Sequence, residues 1–338
     1  MERCISVVTG GAGFIGSHLV DLLISKGHIV RVIDNLIGGQ ISNLSKHLKE
    51  SNLVLHEADI LKVSPNESVF KGAKYIFHLA GIGDIIPSIE KPGDYFQTNI
   101  QGTVNILEAS RVNKVKKFVY AASSSCYGIA TTPTPETAEI NPLYPYAMSK
   151  YLGEVAAFHW CNIYKLPVNS ICIFNAYGVR AKTTGAYGAV IGVFMRQKIS
   201  NTPFTVVGNG KQTRDFVYVT DVAEAFYLAA KTDLTGERFN VGSGKPISIN
   251  HIVELLGGEA VYIPNRPGEP DSTFADIRKI SKFLNWSPKI SFEEGINKIL
   301  KNKEDWKSAP LWDKSKIEAA TESWFKYMNN TKNHDEKS

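Results

Sequence analysis

The sequence contains little cysteine, with only four residues in a chain of 338. Cys4, Cys126, Cys161 and Cys172 share no spacing that is typical of a metal site, so we expect no bound metal. Such few, irregularly spaced thiols also argue against a disulfide-stabilised secreted protein. They indicate reduced thiols in a cytoplasmic protein.

Long apolar runs and charged tracts are absent as well. No stretch reaches the roughly 20 apolar residues that a membrane-spanning helix requires. The first predicted strand begins too close to Met1 to leave room for a signal peptide. The net charge of +5 is spread along the chain. We therefore expect no membrane and no nucleic-acid partner, whereas a phosphate-bearing small molecule would suit the modest positive charge.

Short apolar runs rich in β-branched and aromatic residues alternate with helical patterns up to Asn175. The predicted strands include residues 5–8, 30–34, 53–57, 75–79, 117–121 and 169–174. This alternation is typical of an α/β fold with a Rossmann-type, doubly wound parallel sheet. Beyond Asn175 the pattern becomes mixed, which predicts a smaller α/β lobe. Residues 315–328 are predicted to be helical, and residues 329–338 are polar enough to be disordered.

A glycine-rich turn follows the first strand and leads into a helix that contains Phe14 and Ile15. Gly10 allows a tight turn, Gly13 lets the backbone approach a pyrophosphate, and Gly16 lets the helix pack close to the sheet. The spacing differs from the dehydrogenase form G-x-G-x-x-G. With a strand before it and a helix after it, the turn predicts a dinucleotide site, although a purely structural turn is the alternative.

Asp34 ends the second predicted strand, at about the distance from the glycines where an acid binds the ribose hydroxyls of a dinucleotide. A carboxylate there repels a ribose 2′-phosphate, and neither Asn35 nor the residues after it offer an arginine that would reverse the preference. The sequence therefore favours NAD over NADP. The alternative is that Asp34 only caps a turn.

Tyr146 and Lys150 are four residues apart in a predicted helix, so their side chains share one face. The lysine cation would favour the phenolate and bring the tyrosine pKa from about 10 towards neutrality. A tyrosine placed in this way can act as a general base towards a substrate hydroxyl. This pair predicts a redox site beside the dinucleotide.

Together these motifs resemble the extended short-chain dehydrogenase/reductases of the nucleotide-sugar epimerase and dehydratase type, over residues 5–288. The resemblance implies further cofactor contacts at Asp59, Ile60, Leu79, Ala80, Gly81 and Asn99, together with Tyr146 and Lys150. Several of these positions have a structural alternative. Asp59 could cap a strand end, Asn99 could tether backbone, and the neighbouring His78 could be a satisfied core residue.

The resemblance also assigns a catalytic hydroxyl to Ser123, which would bridge the substrate to Tyr146. Dehydratases of this family carry an Asp-Glu pair directly after that position, and decarboxylases usually keep the Glu. This chain has Ser124 and Ser125 there, which we assign to substrate binding. Without acids the site has what hydride transfer requires, which is the pattern of the sugar 4-epimerases.

Later motifs resemble the family's grip on a nucleotide-diphosphate sugar. Asn175 would hold the diphosphate, Arg214 would pair with phosphate, and Arg266 with Glu269 would clamp phosphate and ribose. Arginine suits this role because its planar fork meets two phosphate oxygens at once. The alternatives are a salt bridge from Arg214 to Asp215 or Asp221 and a solvated loop position for Arg266.

The sugar is indicated less clearly. Residues 183–194 resemble a segment of epimerases that act on UDP-N-acetylhexosamines, and Thr273 stands where epimerases restricted to plain hexoses often carry tyrosine. A small residue also leaves room for a carboxylate, so a UDP-glucuronate 4-epimerase stays open. Asp84, in a loop that faces the sugar in relatives, argues mildly against an anionic sugar. A dehydratase or decarboxylase and a non-catalytic NAD sensor are the remaining alternatives.

The resemblance finally implies a division of the chain and an assembly. Residues 1–174 plus about 214–242 would form the NAD-binding domain, and about 175–213 plus 243–328 the nucleotide-sugar lobe. Helices around 99–113 and 146–164 would pair in a homodimer. Their apolar faces could instead serve only the monomer core.

Overall fold

The computed structural model of the chain describes residues 4–181 and 189–328. Its strands are β1 Ile5–Thr9, β2 Ile29–Asp34, β3 Leu53–Glu57, β4 Tyr75–His78, β5 Lys117–Ser123, β6 Val168–Ile173, β7 Asn175–Tyr177, β8 Phe204–Val207, β9 Thr213–Tyr218, β10 Glu237–Val241, β11 Pro246–Ser248 and β12 Ala260–Ile263. Its helices are α1 Phe14–Ser25, α2 Ile85–Glu90, α3 Pro92–Phe96, α4 Gly102–Val112, α5 Pro145–Tyr164, α6 Val190–Ile199, α7 Val219–Lys231, α8 Ile249–Leu256, α9 Arg278–Leu284, α10 Phe292–Lys301, α11 Lys314–Ala320 and α12 Glu322–Met328.

Seven strands form a parallel sheet in the order β10-β6-β5-β4-β1-β2-β3. The order reverses between β1 and β4, where Val8 lies opposite both Val32 and Phe77. In doubly wound folds a ligand binds at the carboxyl ends of the strands beside such a reversal. The predicted Rossmann-type fold is confirmed, and the reversal locates the site near Thr9 and His78.

The central strands are apolar on both faces because helices cover both sides of the sheet. Every residue of β5 and β6 is buried. One core cluster packs α1 and α7 against the sheet, and another packs α4 and α5 against its opposite face. This burial explains why the strands read as continuous apolar runs rather than as alternating patterns.

The smaller lobe contains a three-stranded sheet, β11-β9-β7, and the pair β12-β8. Its core is aromatic, with Phe194, Phe204, Phe216 and Phe292 all buried. The expected return of the chain at 214–242 is divided between the two sheets. β9, which carries Arg214, pairs with β7 and β11, whereas α7 packs against the large sheet and β10 joins it beside β6.

The single helix predicted for residues 315–328 is wrong, because two helices, α11 and α12, are separated at Thr321. The Thr321 hydroxyl donates to the carbonyl of Ile317 at 2.8 Å. Such a side-chain bond to the helix's own backbone competes with regular helical bonding. Residues 329–338, predicted to be disordered, lie outside the described residues.

Candidate active site

The β1–α1 turn is shaped by glycines that have no room for a side chain. Gly10 has a φ of +69°, and a Cβ on it would lie 2.7 Å from the backbone nitrogen of Ala80. A Cβ on Gly16 would lie 2.1 Å from the Gly10 carbonyl oxygen, so the start of α1 lies directly on the turn. The turn therefore packs against the end of β4, where Leu79 and Ala80 follow the strand.

The N-terminus of α1 is suited to an anion. Its N-cap residue is Gly13, and it has neither a side-chain cap nor an acid in the first turn. The first N–H groups of a helix carry partial positive charge and attract phosphate. Phe14 and Ile15 form the first turn, and Phe14 also lines the large cavity described below. The geometry fits the pyrophosphate of a dinucleotide.

Asp34 lies at the end of β2, close to the glycine turn. Its carboxylate accepts the backbone N–H of Ala12 and of Leu36, each at 2.9 Å. Burial raises the pKa of Asp34, and the two amide hydrogen bonds act in the opposite direction. Turn capping, the alternative interpretation, therefore describes the contacts of this side chain. A carboxylate has further lone pairs that can accept ribose hydroxyls, and Asn35 follows at the surface.

Two of the expected cofactor contacts, Asp59 and Ile60, follow β3. Asp59 caps its own turn, because its carboxylate accepts the N–H of Leu61 at 2.9 Å. Ile60 is buried, and a Cβ on Gly102 would lie 2.5 Å from its Cδ1. Asn105 also donates to the carbonyl of Ile60 at 3.0 Å. These contacts fix the loop after β3 against α4.

The side chain of Asn99 holds neighbouring backbone in place, which was the alternative to a cofactor contact. It lies in a π-helical turn, residues Gln97–Gln101, that precedes α4, and it is only 1% exposed. Its amide accepts the N–H of Ile82 at 2.8 Å and donates to the Ile82 carbonyl and to Ser149. A Cβ on Gly81 would lie 2.7 Å from its Oδ1. Asn99 thus connects the segment after β4 to α5.

His78 is a neutral core residue. The Thr103 hydroxyl donates to the Asn99 carbonyl at 2.6 Å, so it accepts from His78 Nε2–H at 3.0 Å, and Nδ1 accepts from the Thr9 hydroxyl at 2.7 Å. Burial, together with the charge of Lys150, lowers the pKa of His78 to about 3. The imidazole therefore holds β1, β4 and α4 together and stays uncharged near neutral pH, with its one N–H group engaged by Thr103.

Ser123 and Tyr146 meet at the end of β5. Ser123 is the last residue of the strand, and Tyr146 lies in the first turn of α5, after Pro145 at the first helical position. Burial raises the pKa of Tyr146, and a hydrogen bond with Ser123 acts in the opposite direction. The predicted lowering of this pKa by Lys150 is therefore wrong for the protein alone, because removal of the phenol from water outweighs the nearby cation.

Lys150 lies one helical turn further along α5. Its Nζ is 4.6 Å from the centre of the Tyr120 ring and 3.8 Å from the position of a Cβ on Gly81. Burial lowers the pKa of Lys150 to about 8, while the charge of Glu154 raises it. The ammonium form therefore still predominates at neutral pH. This position places its charge beside the end of β4.

Sequence reasoning missed a buried ion pair behind this lysine. Glu154 accepts from the Ser170 hydroxyl at 2.6 Å and from Arg238 Nε at 2.9 Å, and it forms a salt bridge with the same arginine. Tyr146, Lys150 and Glu154 succeed one another at four-residue steps on α5. That spacing was the only available signal, since the arginine partner is on β10.

A cavity of about 510 Å³ opens between the sheet and the smaller lobe. Most of the predicted substrate residues line it: Ser124, Ser125, Asn175, Arg214, Arg266, Glu269 and Thr273. Aromatic side chains line it as well, among them Tyr144 and, from the end of the chain, Trp306 and Trp324. Asp84 also faces it. Residues 183–188, which belong to the segment compared with N-acetylhexosamine epimerases, lie outside the described residues.

Glu269 lies between the two predicted phosphate-binding arginines. Arg214 Nη2 donates to Glu269 Oε1 at 2.8 Å, and Arg266 Nη1 is 3.8 Å from Oε2. The suggested bridge from Arg214 to Asp215 or Asp221 is wrong. Both aspartates instead accept backbone N–H groups, as Asp215 does from Ala275 at 2.9 Å. The cavity thus contains two cations held by one carboxylate, an arrangement that can accept a diphosphate.

Hydrogen bonds and a ring contact connect several other residues around the cavity. Thr273 Oγ1 donates to Asn175 Oδ1 at 3.4 Å. Ser125 forms a hydrogen bond with Tyr144, whose ring stacks on that of Tyr146 at 6.5 Å and 8°. Ser125 is therefore connected through Tyr144 to Tyr146, and Ser124 lines the same cavity.

In the described part of the chain, no cluster of three or more His, Cys, Asp or Glu side chains is arranged to hold a metal. No helix there is long and apolar enough to cross a membrane. All four cysteines are free thiols, and Cys126 and Cys172 are buried.

Comparison with known proteins agrees with this geometry. The model of the family described as GDP-mannose 4,6 dehydratase matches residues 7–299. A putative UDP-glucose 4-epimerase from Methanocaldococcus jannaschii is 36% identical over 303 residues, which cover 87% of this chain and 96% of the relative.

Two solved structures are similar over most of the chain. The UDP-N-acetylglucosamine 4-epimerase from Methanobrevibacter ruminantium, in complex with UDP-N-acetylmuramic acid, has a TM-score of 0.84 at 32% identity and covers 90% of this chain and 98% of its own. The UDP-glucuronic acid 4-epimerase from Bacillus cereus, in complex with UDP-glucuronic acid and NAD, has a TM-score of 0.84 at 29% identity and covers 89% and 99%.

Proposed function

We propose that this chain is an NAD-dependent 4-epimerase that acts on a UDP-linked hexose or N-acetylhexosamine. The chain belongs to the GDP-mannose 4,6-dehydratase family of extended short-chain dehydrogenase/reductases. The observation that carries this proposal is the arrangement around Tyr146. Ser123 forms a hydrogen bond with the phenol, Lys150 follows one turn later, and Ser124 and Ser125 replace the acids that a dehydratase needs. The site therefore has groups for moving one proton and a hydride, and few others.

The cofactor we propose is NAD. The glycine turn, the uncapped N-terminus of α1 and the carboxylate of Asp34 would hold its pyrophosphate and adenosine ribose. Lys150 would bind the nicotinamide ribose. When bound, NAD supplies a hydride acceptor and a positive charge near the phenol. That charge, added to the ammonium of Lys150, would offset the effect of burial on the pKa of Tyr146.

In the proposed mechanism, Tyr146 removes the proton from the sugar's 4-hydroxyl, with Ser123 bridging the two oxygens. Loss of the carbon 4 hydride to the acceptor that NAD would supply would then leave a 4-keto sugar. The nucleotide would stay bound through contacts that do not involve the sugar, chiefly Arg214 and Arg266 at the diphosphate. Once the keto sugar has turned over, the same hydride could be returned to its other face while Tyr146 gives the proton back to the oxygen.

A neutral sugar suits the cavity better than a uronate. Asp84 lines the cavity, and its charge adds to the effect of burial in raising the pKa of Tyr146. A sugar carboxylate would be repelled by Asp84 unless an arginine paired with it. Thr273 lines the cavity beside Asn175, to which it is hydrogen-bonded, and its small side chain would leave room there for a 2-acetamido group. We therefore rank UDP-N-acetylhexosamine and UDP-hexose ahead of UDP-glucuronate.

We also propose a cytoplasmic homodimer. Several apolar side chains on α4 and α5 are exposed, among them Val112, Met148 and Val155, each between 36% and 43%. Met148 and Val155 are seven residues apart and share a helix face, as pairing helices require. Light scattering after gel filtration should give twice the chain mass, and Val155→Lys should shift it towards the monomer.

Proton NMR of the purified protein in deuterated water tests the proposed reaction. The panel consists of UDP-N-acetylglucosamine, UDP-glucose and UDP-glucuronate. A 4-epimer that keeps its carbon 4 hydrogen and contains no solvent deuterium is the expected product. Deuterium beside a 4-keto group, or loss of the carboxylate, would assign a dehydratase or a decarboxylase instead. Bound NAD with no conversion of any sugar in the panel would favour a substrate outside the panel first and a non-catalytic sensor second.

A further inference from the structure

The last two helices of the described chain lie beyond residue 299, where the match to the family model ends, yet α12 reaches the substrate cavity. α12 places Trp324 in the cavity wall, where the side chain is only 5% exposed. α12 also packs against α2, and Ser323 Oγ donates to Glu90 Oε1 at 3.1 Å. This terminal segment therefore forms part of the site.

The orientation of the Trp324 ring is fixed by its neighbours. Its indole Nε1 donates to the carbonyl of Pro267 at 2.8 Å. Its ring centre lies 5.7 Å from that of Tyr144, with the planes at 47°. Because the N–H group is already bonded, the indole surface that lines the cavity is apolar.

These contacts place Trp324 between the two ends of the proposed substrate. Pro267 follows Arg266, one of the proposed diphosphate contacts, while Tyr144 stacks on the catalytic Tyr146. A sugar that joins a diphosphate at Arg266 to a reacting carbon at Tyr146 must therefore pass close to the indole. Ser124 and Ser125 line the same cavity and offer hydroxyls to the polar edge of a sugar.

We propose that Trp324 is a specificity-determining residue whose indole packs against the C–H face of the substrate's pyranose ring. The inference rests on the proposed function and adds to it a residue from outside the family domain. A pyranose has one face rich in C–H bonds, and aromatic rings bury such surface efficiently. The contact would contribute to binding of the sugar and little to binding of UDP alone.

The test compares two dissociation constants by calorimetry, one for UDP and one for UDP-N-acetylglucosamine. All proteins carry NAD and the Tyr146→Phe substitution, which stops turnover during the titration. Trp324→Ala removes the ring system, whereas Trp324→Phe keeps one aromatic ring and removes the N–H donor with the rest of the indole. Tyr327→Ala is the matched control, since Tyr327 is on the same helix and 55% exposed.

We expect Trp324→Ala to weaken UDP-N-acetylglucosamine about tenfold more than it weakens UDP. Trp324→Phe should keep that ratio within about threefold of the parent's, because part of the aromatic surface remains. Tyr327→Ala should change neither constant. With Tyr146 intact, Trp324→Ala should raise KM far more than it lowers kcat.

Equal weakening of both ligands by Trp324→Ala would overturn the inference, because the ring would then only support the Arg266 loop. A parent protein whose affinity gains nothing from the sugar would overturn it as well. If circular dichroism shows that Trp324→Ala does not fold, Trp324→Phe and Trp324→Leu test the inference in its place. Trp324→Leu must then weaken the binding of UDP-N-acetylglucosamine more than the binding of UDP. Failure of the proposed epimerase activity would appear separately, as absence of product from the protein with Tyr146 intact.

Discussion

The site has two sides that are built differently. The cofactor side consists of the β1–α1 turn, the ends of β4 and β5 and the start of α5. The substrate side is the cavity that contains Arg214. On the cofactor side, close backbone approach and fully bonded buried groups fix the geometry, as at Gly16 and Asn99. On the substrate side, charged and aromatic side chains from separate segments meet, as Arg214 and Glu269 do.

This difference fits the two tasks that a 4-epimerase must perform. The cofactor has to stay in one place through oxidation and reduction, which a rigid backbone cradle ensures. The sugar has to turn over while the nucleotide stays bound, which requires contacts at the diphosphate that do not restrain the sugar ring. Changes on the cofactor side should therefore affect the chemical step, and changes on the substrate side should affect binding.

The largest effect is expected from Tyr146→Phe, which removes the proton acceptor. We expect kcat to fall by about three orders of magnitude, with UDP affinity and NAD content unchanged. Product formation by NMR and cofactor release after denaturation measure the two quantities. Substantial remaining activity would show that another group takes the proton, and would weaken the assignment of chemistry to this side.

Lys150→Met separates function from stability on the cofactor side. The folded-state pKa of about 8 lies below the usual lysine value of 10.5, so below pH 8 the buried ammonium is charged at the expense of stability. That cost disappears as the pH rises from 8 to 10.5. The variant should therefore gain up to about 3 kcal/mol of unfolding free energy at pH 7, and lose about a hundredfold in kcat.

Denaturant unfolding of the protein without cofactor at pH 7 and pH 10 checks the stability difference. The gain should be largest at pH 7 and should fall to about a quarter of that at pH 10. Lys245→Met is the control, because Lys245 is exposed. A loss of stability at pH 7 would mean that the contact of Lys150 with the Tyr120 ring outweighs the desolvation of its charge.

Arg214→Lys should affect the substrate side alone. Arg214 uses two different nitrogens to bond the Thr213 carbonyl and Glu269, and a lysine cannot reproduce that fork. We expect UDP to bind on the order of 50-fold more weakly, with NAD retained. Arg278→Lys, at a side chain 87% exposed, is the matched control. Simultaneous loss of NAD would show that the two sides are not independent.

The smallest effect is expected from Thr273→Tyr. A larger side chain beside Asn175 would occupy the space proposed for a 2-acetamido group. The kcat/KM of the variant for UDP-N-acetylglucosamine should then fall about tenfold relative to its kcat/KM for UDP-glucose. Competition between the two substrates in one NMR sample measures this ratio directly. An unchanged ratio would place the acetamido group elsewhere in the cavity.

Prediction from sequence was most successful where a structure depends on neighbouring residues. The parallel sheet followed from apolar periodicity, and the close approach of Gly10 and Gly16 to neighbouring backbone followed from their spacing. The Asp34 position was located correctly, but its contacts with Ala12 and Leu36 were described better by the turn-capping alternative. A residue's place in the chain indicated where it lies but not which groups it bonds.

Long-range partners were harder to predict. Arg214 was predicted to pair with phosphate, and the alternative was a salt bridge with Asp215 or Asp221. In the structure it pairs with Glu269, which is 55 residues away in the chain. The two aspartates are buried and accept backbone N–H groups, which compensate their removal from water. The break at Thr321 and the insertion of Trp324 into the cavity were likewise missed, because both depend on contacts that a local pattern does not contain.

The sequence by itself determined the doubly wound sheet, the glycine turn and the four-residue spacing of Tyr146 and Lys150, because each follows from periodicity or steric demand within a few residues. Only the tertiary structure decided the direction of the Tyr146 pKa, the pairing of Arg214 with Glu269 and the place of Trp324. These properties depend on burial and on distances between residues far apart in the chain, which the fold alone brings together.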